Sequence, residues 1–196
     1  MIAIVDYRAG NLTSVKKALD FLGADSLITS DPKDVAHAQK VVLPGVGHFS
    51  ATRILDELGL HGAVESAIQR GKPFLGICVG MQWMFESSAE APETRGLGLF
   101  TGQCERFPTQ VKSPHVGWNT LRLRNFSRLL EDISPDSCVY FTHSYRAPIV
   151  DETVAECEYG GAFSAVVERD QLFGVQFHPE KSGPVGLKIL ENFCRL

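Results

Sequence analysis

The sequence predicts an α/β fold: a mainly parallel central sheet with helices on both faces, plus an antiparallel extension, in one domain spanning residues 1–196. Two features carry that expectation. The first 90 or so residues alternate short β-branched runs with helical patterns, and their apolar runs are continuous rather than alternating, the mark of strands covered on both faces. From about Gly96 the texture changes to short strand-like stretches joined by Gly or Asp turns, which is how antiparallel pairing reads.

Ile2–Asp6 is the first buried strand, ending in the turn-forming Arg8-Ala9-Gly10-Asn11. Val15, Ala18, Leu19 and Leu22 follow at helical spacing, closed by Gly23. Val41-Val42-Leu43 is a second buried strand, broken by Pro44-Gly45-Val46-Gly47. Leu60, Ala63, Val64, Ala67 and Ile68 mark a further helix that Gly71 ends, and Pro73–Ile77 is a short strand running into Cys78. Met81–Glu86 then reads as helical. Beyond Gly96, strand-like segments lie near Cys104–Phe107, Val116–Leu123, Cys138–Thr142, Val154–Tyr159, Ala162–Glu168 and Leu172–Phe177. A last helix has Pro184 in its first turn and Leu187, Leu190 and Cys194 along one face.

Composition narrows the function classes. Hydrophobic residues are 44% and charged residues 21%, ordinary for a globular chain of 196 residues that needs no staple to fold. The net charge is −4 and no Lys/Arg run forms a phosphate-binding stripe, which argues against nucleic acid. No apolar run approaches the roughly 18 residues of a membrane span, and the N-terminus lacks a signal-peptide pattern. Five cysteines without a C-x-x-C pair argue against disulfides or zinc and suit a reduced cytoplasm.

Three stretches carry chemistry. Gly76-Ile77-Cys78-Val79-Gly80 has the form of a nucleophile elbow with cysteine in the place of serine, between an apolar strand and a helical pattern. A helix N-terminus beyond the cysteine favours thiolate and aims backbone N–H groups at the site. Phe177-His178-Pro179-Glu180 offers an imidazole and a carboxylate two positions apart, on one side of an extended segment. A thiol nucleophile needs such a base, which also protonates a departing amine, and a group to orient it. Leu43-Pro44-Gly45-Val46-Gly47 is a Gly-rich turn at a strand end, able to supply the Val46 amide as one oxyanion donor beside the Val79 amide. Read alone, each has a plainer alternative: a structural cysteine, a surface His-Pro turn with a solvated glutamate, an ordinary tight turn. Together they form a nucleophile, base and orienter set.

In this order and at this spacing the three stretches resemble class I (triad) glutamine amidotransferases over essentially the whole chain. Within that class the resemblance is to the glutaminase subunits of imidazole glycerol phosphate synthases, through Gly10-Asn11-Leu12, Pro44–Phe49, Gly76–Gln82, Pro114–Asn119, Tyr140–Tyr145 and Gln176–Ser182. The resemblance implies Cys78 as nucleophile, His178 as acid–base and Glu180 as its orienter. It implies that Gly47, Gln82 and Glu90 hold glutamine, with the Ser144–Tyr145 backbone receiving its α-carboxylate. His143 reads as structural, in a strand-end loop. Asn11, Trp118, Asn119 and Lys181 fall where the family meets its partner, although the indole also suits core packing and the lysine a solvated charge.

The resemblance further implies a heterodimer with a (β/α)8-barrel cyclase. That partner uses the ammonia to make imidazole glycerol phosphate and an aminoimidazole carboxamide ribonucleotide in histidine biosynthesis. No metal and no organic cofactor are implied, and no P-loop or dinucleotide fingerprint is present. Three other readings stay open: a paralogous glutaminase feeding a surface-sugar amidotransferase, a stand-alone cysteine hydrolase of γ-glutamyl or peptide bonds, and an idle binding module on the same fold.

Overall fold

Ile2 to Val5 carries only apolar side chains, so the stretch is stable only with both faces covered. In the computed structural model, which describes residues 1–196, it is strand β1 (Ile2–Val5), buried throughout. Helix α1 (Leu12–Phe21) follows and buries Val15, Ala18 and Leu19, ending before Gly23 at φ +71°. Two elements come next that the apolar periodicity does not announce, β2 (Ser26–Thr29) and α2 (Pro32–His37). Strand β2 lies at the sheet edge with only Thr29 buried, so it has no apolar run to betray it. Helix α2 is too short for a period, though Asp31 caps it by accepting from the Lys33 N–H.

Strand β3 (Lys40–Gly45) does not break at Pro44, as the sequence suggests, but runs through it to Gly45. Its pairing with β1 ends at Val42, so the missing proline N–H falls beyond the doubly paired stretch. Helices α3 (Ile54–Glu57) and α4 (Leu60–Gln69) lead to strand β4 (Phe74–Cys78), wholly buried. The helix expected over Met81–Glu86 is a single turn, α5 (Val79–Gln82), and the chain leaves it as strand β5 (Phe85–Ser88). Tertiary pairing overrides the helical pattern here: the Leu97 and Leu99 N–H groups donate to the Trp83 and Met84 carbonyls at 2.6 and 2.8 Å.

The second half supplies β6 (Phe100–Arg106), β7 (His115–Thr120), β8 (Arg122–Leu123), β9 (Cys138–His143), β10 (Tyr145–Arg146), β11 (Thr153–Glu158), β12 (Ala162–Arg169), β13 (Leu172–Val175) and helix α6 (Gly183–Arg195). The main sheet runs β2-β1-β3-β4-β13-β12-β11-β8, parallel from β2 to β13 and antiparallel beyond. The α/β class with an antiparallel extension is thus what the chain adopts. Only β8, β11 and β12 form that extension. Strands β5, β6 and β10 make a small separate sheet, and β7 pairs with β9 as an antiparallel ribbon.

Buried apolar side chains form one contiguous cluster. Helix α6 packs through Gly186, Ile189, Leu190 and Phe193, leaving Leu187 and Cys194 half-buried at the flanks of the expected face. No helix is long and apolar enough to cross a membrane. Phe163 on β12 joins the ribbon to the sheet, meeting Phe107, Phe141 and His143 at ring distances of 5.7, 5.8 and 5.3 Å. Phe163→Ala is expected to lower unfolding stability by about 3–5 kcal/mol with an unchanged urea m-value. A loss under about 1 kcal/mol in urea titration would mean the ribbon does not lean on this ring.

Candidate active site

The site forms at the carboxyl ends of three adjacent strands, where open parallel sheets place their ligands. Strand β4 lies between β3 and β13, with Gly45 opposite Cys78 and Val175 opposite Ile77. Cys78 ends β4 with φ 54° and ψ −109°, so the strain of the elbow sits in the cysteine itself. The flanking glycines serve close approach. A Cβ on Gly80 would lie 2.0 Å from the Leu43 carbonyl oxygen, and one on Gly76 2.6 Å from that of Gly80.

On the β3 side, Gly47 takes φ +98°, and neither the Val46 nor the Gly47 N–H donates to a protein group. On the β13 side, His178 and Glu180 meet through a 3-10 turn, Pro179–Lys181, rather than along an extended run. The imidazole Nδ1 lies 2.9 Å from Glu180 Oε1, and both side chains are 1% exposed. The backbone of His178 is clamped: its N–H donates to the Tyr140 carbonyl at 2.9 Å, and the Ser182 hydroxyl donates to its carbonyl at 2.7 Å.

Burial alone would lower the His178 pKa, but the Cys78 sulfur and the Glu180 carboxylate outweigh it and hold the pKa above the usual imidazole value. The Nε2 atom has no hydrogen bond of ordinary geometry, although Cys78 is near enough to act on its ionisation. With Nδ1 occupied by Glu180, Nε2 is the nitrogen free for proton transfer.

A cavity of about 140 Å³ opens over the sulfur. Val46, Gly47, Cys78, Val79, Gln82, Glu90, Ser144 and Tyr145 all line it, with Thr142 and His143. Glu90 also closes it, its Oε2 accepting from the Phe49 N–H at 2.7 Å. A sulfur nucleophile, free backbone donors and a buried imidazole–carboxylate pair around so small a space suit acyl transfer from a compact amide.

A family model described as glutamine amidotransferase class-I matches residues 3–196. The chain belongs to the class-I glutamine amidotransferases. Relatives of this amidotransferase include the imidazole glycerol phosphate synthase subunit HisH of Caldanaerobacter subterraneus, 47% identical over 98% of this chain and 97% of that protein. The subunit of the same name from Methanopyrus kandleri is 48% identical over 96% of this chain and 94% of that protein. A crystal structure of a glutamine amidotransferase shares the fold at 17% identity, with a TM-score of 0.78 over the whole of both chains. PurLQS from Thermotoga maritima does so at 19% identity and 0.76, over 99% of this chain and 97% of that one. The amidotransferase is a glutamine-hydrolysing enzyme.

The residues expected at a partner interface do not form one class in the amidotransferase. Trp118 is 58% exposed beside the exposed Val116, its ring against Tyr140, and Lys181 is exposed. Asn11 is half-buried at the start of α1, its side chain making no cap bond. Asn119 turns inward, its amide donating to the Glu158 carbonyl at 3.1 Å. His143 ends β9, buried, rather than sitting in a loop. Sequence reasoning missed Gln176, whose amide donates to the Cys78 sulfur at 3.7 Å, and Ser182, which clamps His178. Both lie inside Gln176–Ser182, where His178, Glu180 and Lys181 carry the ionisable chemistry and the neutral residues give no signal of their own.

Gly80→Ala is expected to fail as a folded enzyme or lose at least several degrees in Tm, because the Leu43 backbone cannot yield 1 Å or more; unchanged melting would contradict the packing. The His178 shift sets a pH dependence. A pKa raised in the folded state stabilises fully below the unfolded imidazole value of 6.5 and is lost as pH climbs through the higher folded value. The stability advantage over His178→Gln should therefore shrink as pH rises above about 6.5 in chemical denaturation series. An advantage that grew would reverse the assigned sign.

Proposed function

We infer that this protein is the glutaminase subunit of an imidazole glycerol phosphate synthase, that residues 1–196 act as one domain, and that Cys78, His178 and Glu180 carry the chemistry. The Cys78 thiolate attacks the carboxamide carbon of glutamine. The Val46 and Val79 N–H groups receive the oxyanion, and His178, oriented by Glu180, passes a proton from Nε2 to the leaving ammonia. Water, deprotonated by the same nitrogen, then hydrolyses the γ-glutamyl thioester to glutamate. Gln82, Glu90 and Gly47 bound the substrate, and the Ser144–Tyr145 backbone takes its α-carboxylate. The observation that carries this reading is the buried His178–Glu180 pair at 2.9 Å beside a cysteine held at positive φ on a small cavity.

The partner is a (β/α)8-barrel cyclase in the cytoplasm, docked over Trp118, Lys181 and Asn11. Its ammonia acceptor is phosphorylated, whereas this chain's basic residues form no phosphate-binding stripe. Support for the docking face comes from the exposed Val116 and Trp118, next to the strand that anchors the backbone of His178. Loss or gain of one oxyanion donor is worth about 100–1000-fold in rate, so docking that reorients the Pro44–Gly47 loop would raise turnover by about that factor.

Glutamate release tests the whole. Protein alone is expected to be slow, and protein with the barrel cyclase and its ligand about 100-fold faster or more, with Cys78→Ala silent in both. Equal rates with and without the cyclase would remove the partner from the reading and leave only the hydrolysis.

A further inference from the structure

Behind the glutamine cavity lies a set of buried polar side chains that the reaction scheme does not use. His115 and His143 are 4% and 6% exposed, and Gln176 is fully buried. Their hydrogen bonds form one directed chain. The His143 Nδ1 lies 2.8 Å from the Tyr145 carbonyl, which only accepts, so this nitrogen carries the proton and Nε2 of the neutral ring accepts. The His115 Nδ1, 3.3 Å from that Nε2, must therefore donate, and its own Nε2 accepts from the Asn119 amide at 3.3 Å. The Asn119 amide is itself oriented, since its oxygen accepts from the Thr120 N–H at 2.8 Å.

The chain continues past Tyr145. Its carbonyl takes a second bond from the Gln82 amide at 2.8 Å. Gln82 also donates to the Gln176 oxygen at 3.1 Å, and the Gln176 amide donates to the Cys78 sulfur. Every donor meets an acceptor under one tautomer for both histidines: protonated at Nδ1, neutral overall. Burial holds the His115 pKa at about 4. The His143 pKa falls to about 3, burial outweighing its backbone bond, so neither ring is charged near neutral pH. His115 is locked in place by stacking on Phe141 and Tyr159 at 4.9 and 4.0 Å.

We propose that His115 and His143 are positioning residues of the glutaminase reaction, which fix the Tyr145 carbonyl and, through Gln82 and Gln176, aim the Cys78 sulfur at the substrate. The proposal rests on Cys78 being the nucleophile. Without the His143 N–H, the Tyr145 carbonyl loses one of its two donors and Gln82 loses its fixed acceptor, so Gln176 and the sulfur are free to turn. A misplacement on the order of 1 Å at a reacting atom costs about 100-fold, and the effect falls on turnover.

Two experiments test this. Imidazole ¹⁵N NMR on the native protein should show both rings as Nδ1–H tautomers at neutral pH; an Nε2–H tautomer at either ring overturns the relay, whether or not any variant folds. Glutaminase kinetics with the cyclase partner and its ligand present should then show kcat about 10–100-fold lower in His143→Leu and His115→Phe, with a smaller change in KM. His143→Asn keeps an N–H near the Nδ1 position and should recover most of that loss. If the rings only filled space, the apolar Leu and Phe variants would outperform Asn; folded variants with wild-type kcat, or an Asn variant no better than Leu, overturn the proposal. Cys78→Ala separates the two levels. If it still releases glutamate, the nucleophile assignment has failed; if it is silent while the relay variants run at full rate, the relay alone has failed.

Discussion

The catalytic edge depends on backbone touching backbone where β4 runs between β3 and β13. Gly80 of the turn after Cys78 lies so close to the Leu43 carbonyl that no side-chain atom fits between them. That contact bends the chain out of β4 within one residue and leaves the cysteine at positive φ. The parallel register then sets the remaining distances. Gly45 beside Cys78 brings the Val46–Gly47 amides to one side of the sulfur, and Val175 beside Ile77 brings His178 to the other. Because the three strands are neighbours, the site needs no long loop to gather its parts.

Around this edge two histidines face opposite electrostatics. His178 and His143 are both buried, and burial pulls both toward the neutral form. His178 has a carboxylate and a sulfur for neighbours, and these outweigh desolvation. His143 has the Tyr145 carbonyl, a second imidazole and the Arg146 guanidinium, which do not. Of the two, the His178 ring is held toward the protonated form beside the sulfur and the His143 ring toward the neutral form. The difference lies in the partners, not in the depth of burial.

The parts of the site that were legible in sequence are those written within a few consecutive residues. The glycines around Cys78, the Pro44–Gly47 turn and the His178–Glu180 spacing each need only local geometry; the first two stretches line the cavity, and the third pairs its imidazole and carboxylate through a 3-10 turn. Strands that are apolar throughout, such as Phe74–Cys78, were legible for the same reason. What escaped depends on pairing between distant segments. The bond from Gln176 to Cys78 spans 98 positions, and that between His115 and His143 exists only because β7 and β9 pair as a ribbon. The helix after Cys78 stops early because residues 97 and 99 claim the carbonyls of Trp83 and Met84. Strand β2 was invisible because an edge strand with one buried residue carries no apolar signature.

Cys78 and His178 follow strands that are adjacent in the sheet, although Phe74 and Leu172, where the pairing of those strands begins, lie 98 positions apart in the chain. A chain emerging from its N-terminus therefore exposes the cysteine elbow long before His178 can reach it. Closing β13 against β4 is a non-local step, among the slower kinds of event in folding. Chains cut short before β13 keep the Cys78 sulfur but lack His178, the clamp from Ser182 and the Gln176 amide. The grouping of Cys78, His178 and Glu180 thus exists only once the C-terminal strand is in place.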